Sequence, residues 1–299
     1  MLHIAIIGKL PTEPMRPYLR ALFDSLEAHG ASIRVLGSVY RELTMMGFAL
    51  PLGATAFERP DSLAGTHFVL SLGGDGTLLE AVTYVGSLQI PILGINMGRL
   101  GFLATVPQER VADALDALVR GHYTLDDRSL IRVEADRPLF DGVPFGLNEF
   151  SILKRDSSAM IVVHTYIDGE FLNSYWADGL IVSTPTGSTG YSLSCGGPVL
   201  LPHTTNFVIA PVCPHNLNVR PLIVPDRSVI SFEIEGRANN FLVSLDSRSQ
   251  PVDATIQLAV SRERFVARLV KVHQANFLST LRTKLNWGLD ERNPAADGR

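Results

Sequence analysis

Ser71-Leu72-Gly73-Gly74-Asp75-Gly76-Thr77 follows the apolar run His67-Phe68-Val69-Leu70 and leads into Leu78-Leu79-Glu80-Ala81-Val82. That order predicts a buried strand, a glycine turn, and a helix whose first turns begin near Leu78. A strand–turn–helix junction of this kind is a natural phosphate site. Backbone N–H groups converge there, the helix N-terminus carries partial positive charge, and glycine lets a ligand's oxygens approach the backbone. Asp75 is an anion placed where anions bind. It is tolerable if a cation bridges it to the phosphate, or if its task is to take a proton from an attacking hydroxyl, and both uses belong to phosphoryl transfer. Gly-Asp-Gly also occurs in ordinary turns, so the flanking strand and helix are what give it meaning. No Lys follows the last glycine, which excludes a Walker A loop, and the spacing is not that of the dinucleotide fingerprint.

The chain has 299 residues, enough for one large domain or two of ordinary size. Hydrophobic residues make up 46% and charged residues 19%, so a substantial core forms. A net charge of −4 lacks the basic excess of a general nucleic-acid binder. Cys195 and Cys213 have no metal-ligand spacing and read as reduced thiols of a cytoplasmic protein. Met1-Leu2-His3-Ile4-Ala5-Ile6-Ile7-Gly8 reads as a first strand rather than a signal peptide. No apolar stretch approaches the ~18 residues of a membrane span, so neither membrane nor nucleic acid is an expected partner.

Two halves differ in periodicity. Strands and helices alternate over residues 1–122: Leu2 to Ile7 as strand, then Met15, Tyr18, Leu19, Leu22, Phe23 and Leu26 at helical spacing, with Gly30 as the stop. Ile33 to Leu36, Phe68 to Leu72 and Ile90 to Ile95 read as strands, and Tyr40 to Met46 as a short helix. Thr105-Val106-Pro107-Gln108 has the spacing of a capping box opening a helix with Val111, Leu115 and Leu118 on its apolar face. This alternation predicts a Rossmann-like parallel sheet with helices on its faces. Residues 123–274 read as an all-β sandwich. Asp168-Gly169 forms a hairpin turn, and Leu180 to Ser183, Phe207 to Ala210, Val229 to Ile234, Phe241 to Leu245, Ile256 to Val260 and Phe265 to Val270 are strands. In 275–299, Phe277, Leu278, Leu281 and Leu285 form a last helix packing back on the first domain, before a disordered tail Pro294 to Arg299.

Asp178-Gly179-Leu180-Ile181-Val182-Ser183-Thr184-Pro185-Thr186-Gly187-Ser188-Thr189-Gly190-Tyr191-Ser192 is the second dense polar segment, closed by Gly196-Gly197-Pro198. Hydroxyls and amides at this density suit a ligand rich in ribose and amide groups, with Tyr191 as a stacking face; the alternative is a loop whose hydroxyls cap its own helix. Asn148 and Glu149 are adjacent in a strand-like run, so at least one reaches solvent or a ligand. Together, GGDGT at 73–77, NE at 148–149 and DGLIVSTPTGSTGYSLSCGGP at 178–198 resemble the NAD kinase family of bacterial type. Asn96 to Leu103, Pro211 to His215, Arg220-Pro221 and Asp246-Ser247 agree in the same order. GGDGT alone also occurs in diacylglycerol-type lipid kinases, with a close variant in phosphofructokinases; the 178–198 segment is the specific part.

The resemblance implies the phosphofructokinase/diacylglycerol-kinase-like form of the α/β domain and a second domain that binds NAD. Asp75 matches the proton acceptor, and Asp75 with Gly76 the ribose-binding pair. Asn148 and Glu149 match the pair holding the dinucleotide's ribose, and Asp178 a residue at the nicotinamide end. Thr189, Gly190, Tyr191, Ser192, Leu193 and Ser194 match the loop around the adenine and nicotinamide groups, and Phe102 borders the adenine pocket. Gly190 stands where the family usually has Ala, Trp176 where Arg is frequent, and Arg248 where Gln is. The implied reaction moves the γ-phosphate of ATP to the 2′-hydroxyl of NAD's adenosine ribose. Gly73, Gly74 and Gly76 present N–H groups to the triphosphate, Thr77 caps the helix or touches a phosphate, and Mg²⁺ or another divalent cation offsets the repulsion from Asp75. No resident protein metal site is expected. The oligomer implied is a homodimer or homotetramer. A lipid or sugar kinase of the same superfamily and a non-catalytic dinucleotide sensor are the alternatives, and an intact Asp75 speaks against the sensor.

Overall fold

The computed structural model describes residues 1–9, 13–98, 101–155, 159–236, 240–272 and 276–287. They form two units, an α/β N-terminal region built on a mixed sheet and a β-rich C-terminal region. The first comprises Met1–Leu78, Pro91–Asp126 and Leu269–Arg299, the second Leu79–Ile90 and Asp127–Arg268.

In the first unit, strands Thr55–Phe57, Ser32–Leu36, His3–Gly8, Phe68–Gly73 and Ile92–Asn96 lie side by side in that order, each pair parallel. Ile6 stands opposite Val35 on one side and Leu70 on the other. The central strands are buried on both faces, so their sequences are unbroken apolar runs rather than alternations. Helix Arg16–Ala28 buries Leu19, Leu22, Phe23 and Leu26, and Gly30 at φ 63° closes it in the left-handed conformation a C-terminal glycine supplies. Strands Phe68–Gly73 and Ile92–Asn96 end together, with Gly73 opposite Asn96. The carboxyl ends of parallel strands are where open α/β sheets bind ligands.

In the second unit, hairpin Ile161–Ile167/Glu170–Ala177 turns at Asp168 and Gly169, both at positive φ, and Ile230–Glu235 pairs with its first strand. A second sheet runs Leu222–Pro225, Asn206–Val212, Gly179–Ser183, Glu149–Lys154, Phe241–Leu245, Arg248–Val252, antiparallel throughout. Phe150, Phe207 and Phe241 from it join Val163, Tyr175, Phe232 and Ile234 in one apolar cluster.

Several local expectations are corrected. The helix after the glycine turn spans Asp75–Val85, so Asp75, Gly76 and Thr77 form its first turn. Val106–Pro107 is a short strand paired with Ile95 and Asn96. A 3-10 turn over Gln108–Arg110 then precedes helix Val111–Val119, which has no side-chain cap bond. The segments read as two strands between Ile256 and Val270 are one, Leu258–Val272. The short helix begins at Gly37 and ends at Met45. The last helix is Phe277–Leu285, capped by the Asn276 side chain accepting from Leu278 N–H, and it belongs to the first unit. The tail Pro294 to Arg299, expected to be disordered, lies outside the described residues. Among the described residues no helix is long and apolar enough to cross a membrane.

One close approach connects this framework to the glycine turn. A Cβ on Gly94 would lie 2.8 Å from Ala104 Cα and 2.8 Å from Leu78 Cδ1. Gly94 therefore lets the segment around Ala104 lie directly on its strand. Gly94→Ala should cost about 1–3 kcal/mol, the scale of overpacking, seen as a lower urea midpoint at unchanged slope. An unaltered midpoint would show that this contact does not hold the segment.

Candidate active site

The glycine turn has a closed side and an open one. Gly73 sits at φ 154°, and a Cβ there would lie 2.2 Å from Thr77 Oγ1. Gly73 and Thr77 are thus packed against each other, and Thr77 N–H donates to Gly74 O at 3.1 Å. A Cβ on Gly74 or Gly76 would meet nothing within 4 Å. These two glycines present open backbone at a helix N-terminus, whose first N–H groups have no intrahelical acceptor. Of the four positions expected to meet phosphate, Gly74 and Gly76 face space while Gly73 and Thr77 build the turn.

Asp75 is held by the neighbouring loop. Its Oδ2 accepts from Phe102 N–H at 2.8 Å, and its Oδ1 from Leu103 and Ala104 N–H, both at 3.0 Å. Gly101 makes this wrap possible, because a Cβ there would sit 1.9 Å from Asp75 Oδ1. A carboxylate has about four acceptor sites, so Oδ2 keeps capacity for one further donor such as a hydroxyl. The Phe102 ring lies 6.4 Å from that of Phe277, within the same unit. Arg99 and Leu100, part of the motif expected to follow Asn96, lie outside the described residues.

A second cluster gathers in the second unit. Thr184 N–H donates to Asn148 O at 2.8 Å, and a Cβ on Gly187 would lie 2.2 Å from that same carbonyl. The 184–192 loop therefore lies directly on Asn148 and Glu149. Tyr191 N–H donates to the Glu149 carboxylate, and a Cβ on Gly190 would be 3.0 Å from Glu149 Oε2 and 3.1 Å from Gly187 O. Most hydroxyls of this segment bond within the protein. Thr184 donates to Leu147 O at 2.6 Å, Ser188 to Pro185 O at 2.7 Å and Thr189 to Thr186 O at 3.3 Å. The alternative weighed for the segment, hydroxyls capping their own turns, therefore describes Ser188 and Thr189, while Thr184 ties the loop to Leu147. What remains open is narrower. Asn148 Oδ1, Glu149 Oε2 and Ser192 Oγ are buried with no hydrogen-bond partner among the described residues. Buried polar atoms without partners are costly, and Asn148 and Glu149 lie against the loop that carries Ser192, over 40 residues further along the chain. Tyr191 is 39% exposed, Leu193 half-buried and Ser194 exposed.

Asp246, noted in the sequence only as part of the family pattern, organises this cluster. It lies in the two-residue turn between strands Phe241–Leu245 and Arg248–Val252, at φ 52°. Its Oδ2 accepts from Leu147 N–H at 2.7 Å and its Oδ1 from Asn148 and Glu149 N–H at 2.8 and 3.1 Å. Gly146 clears the way, since a Cβ there would lie 2.9 Å from Asp246 Oδ2. Arg248 donates to Val143 O at 2.6 Å and Phe145 O at 2.5 Å, so it fastens the preceding turn. Asp178 pairs instead with Lys154, Nζ to Oδ1 2.7 Å.

Glu149 stands in an unfavourable field. Burial, then the nearby Asp246 charge, push its pKa up to about 7, against the opposing pull of Tyr191 N–H. The folded protein thus holds this proton to higher pH than the unfolded chain does. Wild-type stability should fall as pH rises from about 4.5 to about 7 through this group, by up to about 3 kcal/mol. Glu149→Gln should remove that part of the fall, measured as the wild-type-minus-variant difference in urea stability across the range. A pH-independent difference would refute the shift.

The family model for the ATP-NAD kinase N-terminal domain matches residues 56–123, and that for the C-terminal domain residues 147–271. An NAD kinase of Cytophaga hutchinsonii is 53% identical over 97% of this chain and 99% of its own. One from Bacteroides fragilis is 42% identical over 97% and 100%. Among solved structures, yeast NADH kinase complexed with NADH superposes with TM-score 0.87 at 23% identity, covering 97% of this chain and 89% of that one. An Archaeoglobus fulgidus NAD kinase in complex with ATP gives TM-score 0.75 at 25% identity, covering 95% and 99%.

Proposed function

The chain belongs to the NAD kinase family, and from that premise we propose how its residues divide the work. It is a kinase that phosphorylates NAD. The observation that carries the assignment of roles is the polar geometry of the two clusters. One is an open helix N-terminus beside a carboxylate with acceptor capacity to spare. The other is a set of buried, unpartnered polar atoms suited to ribose hydroxyls.

In this reading ATP is the donor and lays its phosphates on the open amides at Gly74 and Gly76. The 2′-hydroxyl oxygen of NAD's adenosine ribose attacks the γ-phosphorus, the bond to the β-phosphate oxygen breaks, and ADP leaves. The hydroxyl proton passes to Asp75 Oδ2. A carboxylate is a weak base for an alcohol, but in a loose transition state the proton leaves late, so positioning supplies most of the acceleration. The three amides on Asp75 fix its direction before substrate arrives. Asn148, Glu149 and Ser192 receive NAD's ribose and amide groups, whose hydroxyls supply the partners that Asn148 Oδ1 and Glu149 Oε2 lack. Tyr191 offers its exposed ring for stacking, and Asp178 stands at the nicotinamide end.

Mg²⁺ fits this arrangement as a companion of the triphosphate. Among the described residues no three His, Cys, Asp or Glu side chains gather into a cation cage, and Mg²⁺ characteristically takes one or two carboxylates together with substrate phosphates. Asp75 is the carboxylate placed to share it, and the ion would neutralise phosphate charge. We read the first unit as Rossmann-like and the second as a β-sandwich that binds the dinucleotide, in a cytoplasmic homodimer or homotetramer.

Asp75→Asn tests the central role. The amide accepts through one oxygen only, and its NH₂ meets a backbone N–H, so some stability is lost as well. Turnover should fall by far more than tenfold, the equivalent of about 1.4 kcal/mol, while titration calorimetry still shows NAD bound. Retention of more than a tenth of wild-type kcat would remove Asp75 from its role as proton acceptor.

A further inference from the structure

Resting on the reading that the 184–192 loop receives NAD, we propose that Arg128 is a positioning residue for the dinucleotide, whose buried guanidinium binds the Thr186 oxygen and so leaves the Thr186 hydroxyl proton for an acceptor atom of the ligand. Both residues belong to the second unit, and neither takes part in the phosphoryl transfer itself. Arg128 lies on strand Tyr123–Ala135, where Arg128 and Leu130 are buried and Asp127 is exposed, so the alternation of the strand turns the guanidinium inward. It is 4% exposed. Taking a guanidinium out of water is costly, and this one spends a bond on the loop: Nη1 donates to Thr186 Oγ1 at 3.1 Å, between positions 58 apart.

The direction of that bond fixes where the proton goes. A guanidinium has donors and no acceptor, so Thr186 Oγ1 accepts and its own proton points elsewhere. Thr186 is 6% exposed, and among the described residues no acceptor takes this proton. Its neighbours in the loop differ, since Thr184, Ser188 and Thr189 all donate their hydroxyl protons to backbone carbonyls. Thr189 donates to the carbonyl of Thr186 itself, which holds the backbone of that residue while Arg128 holds its side chain.

Thr186 stands beside the buried acceptors of the same cluster. Thr184 N–H donates to Asn148 O at 2.8 Å, and a Cβ on Gly187 would lie 2.2 Å from that carbonyl, so Thr186 lies between two residues pressed onto Asn148. Asn148 Oδ1 and Glu149 Oε2, both without partners, suit ribose hydroxyls. Thr186 adds a donor, which suits a ring nitrogen or a phosphate oxygen of the same dinucleotide. A hydroxyl that accepts from a cation is polarised by it and donates more strongly. Arg128 thus acts on the ligand through Thr186 and not by contact.

Titration calorimetry of the full chain with NAD alone tests this without turnover. Thr186→Val removes the donor and should weaken NAD binding at least about fivefold, the effect of leaving a buried ligand acceptor unpaired; a smaller loss overturns the inference. Thr186→Ser keeps the hydroxyl and should bind clearly more tightly than Thr186→Val, whereas equal losses in the two would mark a packing role and overturn it. Arg128→Lys keeps the charge but loses the planar fork. It should weaken NAD in the wild-type background by about threefold or more and add almost nothing in the Thr186→Val background, because its effect passes through that hydroxyl. The same factor in both backgrounds would show that Arg128 serves only the fold, and would remove its positioning role. Glu149→Ala and Ser192→Ala separate the two levels of the argument. If they weaken NAD while Thr186→Val does not, this inference alone fails; if all three bind NAD as the wild type does, the reading of the loop as the NAD site fails with it.

Discussion

Two aspartates that each grip three consecutive backbone amides hold both clusters in shape. Asp75 takes the N–H groups of Phe102, Leu103 and Ala104, and Asp246 those of Leu147, Asn148 and Glu149. In each case a glycine stands just before the three amides, Gly101 in one and Gly146 in the other, where a Cβ would collide with the carboxylate. Hydrogen bonds to an ionised acceptor are the strong ones, and three of them on one carboxylate leave little rotational freedom. The loop is fixed by the acid as much as the acid by the loop.

The same device serves different ends in the two units. At Asp75 it aims a carboxylate that retains one acceptor position, so the amides pre-organise the group proposed to take the hydroxyl proton. At Asp246 the carboxylate makes the same pattern of three bonds, and its product is the position of its neighbours. Asn148 and Glu149 arrive with their amides tied down and their side-chain oxygens unpartnered. Glu149 pays for this, since burial and the Asp246 charge both oppose its ionisation. Functional sites characteristically hold such strain, and ligand hydroxyls are what would relieve it.

The hydroxyl-rich loop shows how density of polar residues differs from availability. Thr184, Ser188 and Thr189 bond to carbonyls of their own segment or of Leu147, which rigidifies a loop that could not otherwise stay buried. Ser192, one helical turn further, is the hydroxyl left without a partner. Arg248 is likewise a structural fastening, donating to Val143 and Phe145 carbonyls.

The amino-acid sequence by itself determined four parallel strands of the first unit but not Thr55–Phe57, most antiparallel strands of the second, the Asp168-Gly169 hairpin and the family, because periodicity and turn chemistry act over a few residues and the 178–198 segment is distinctive. It misjudged what depends on distant partners. The continuity of Leu258–Val272 is set by pairing with strands far off in the chain, and the helix expected from a capping box at Thr105 yields to pairing of Val106–Pro107 with Ile95 and Asn96. Only the tertiary structure decided that Gly101 wraps Asp75, that Asp246 governs Asn148 and Glu149 from about 100 positions away, and that Glu149 is strained. The physical reason is that hydrogen-bond satisfaction and electrostatic fields depend on distance in space, and separation along the chain carries no record of it.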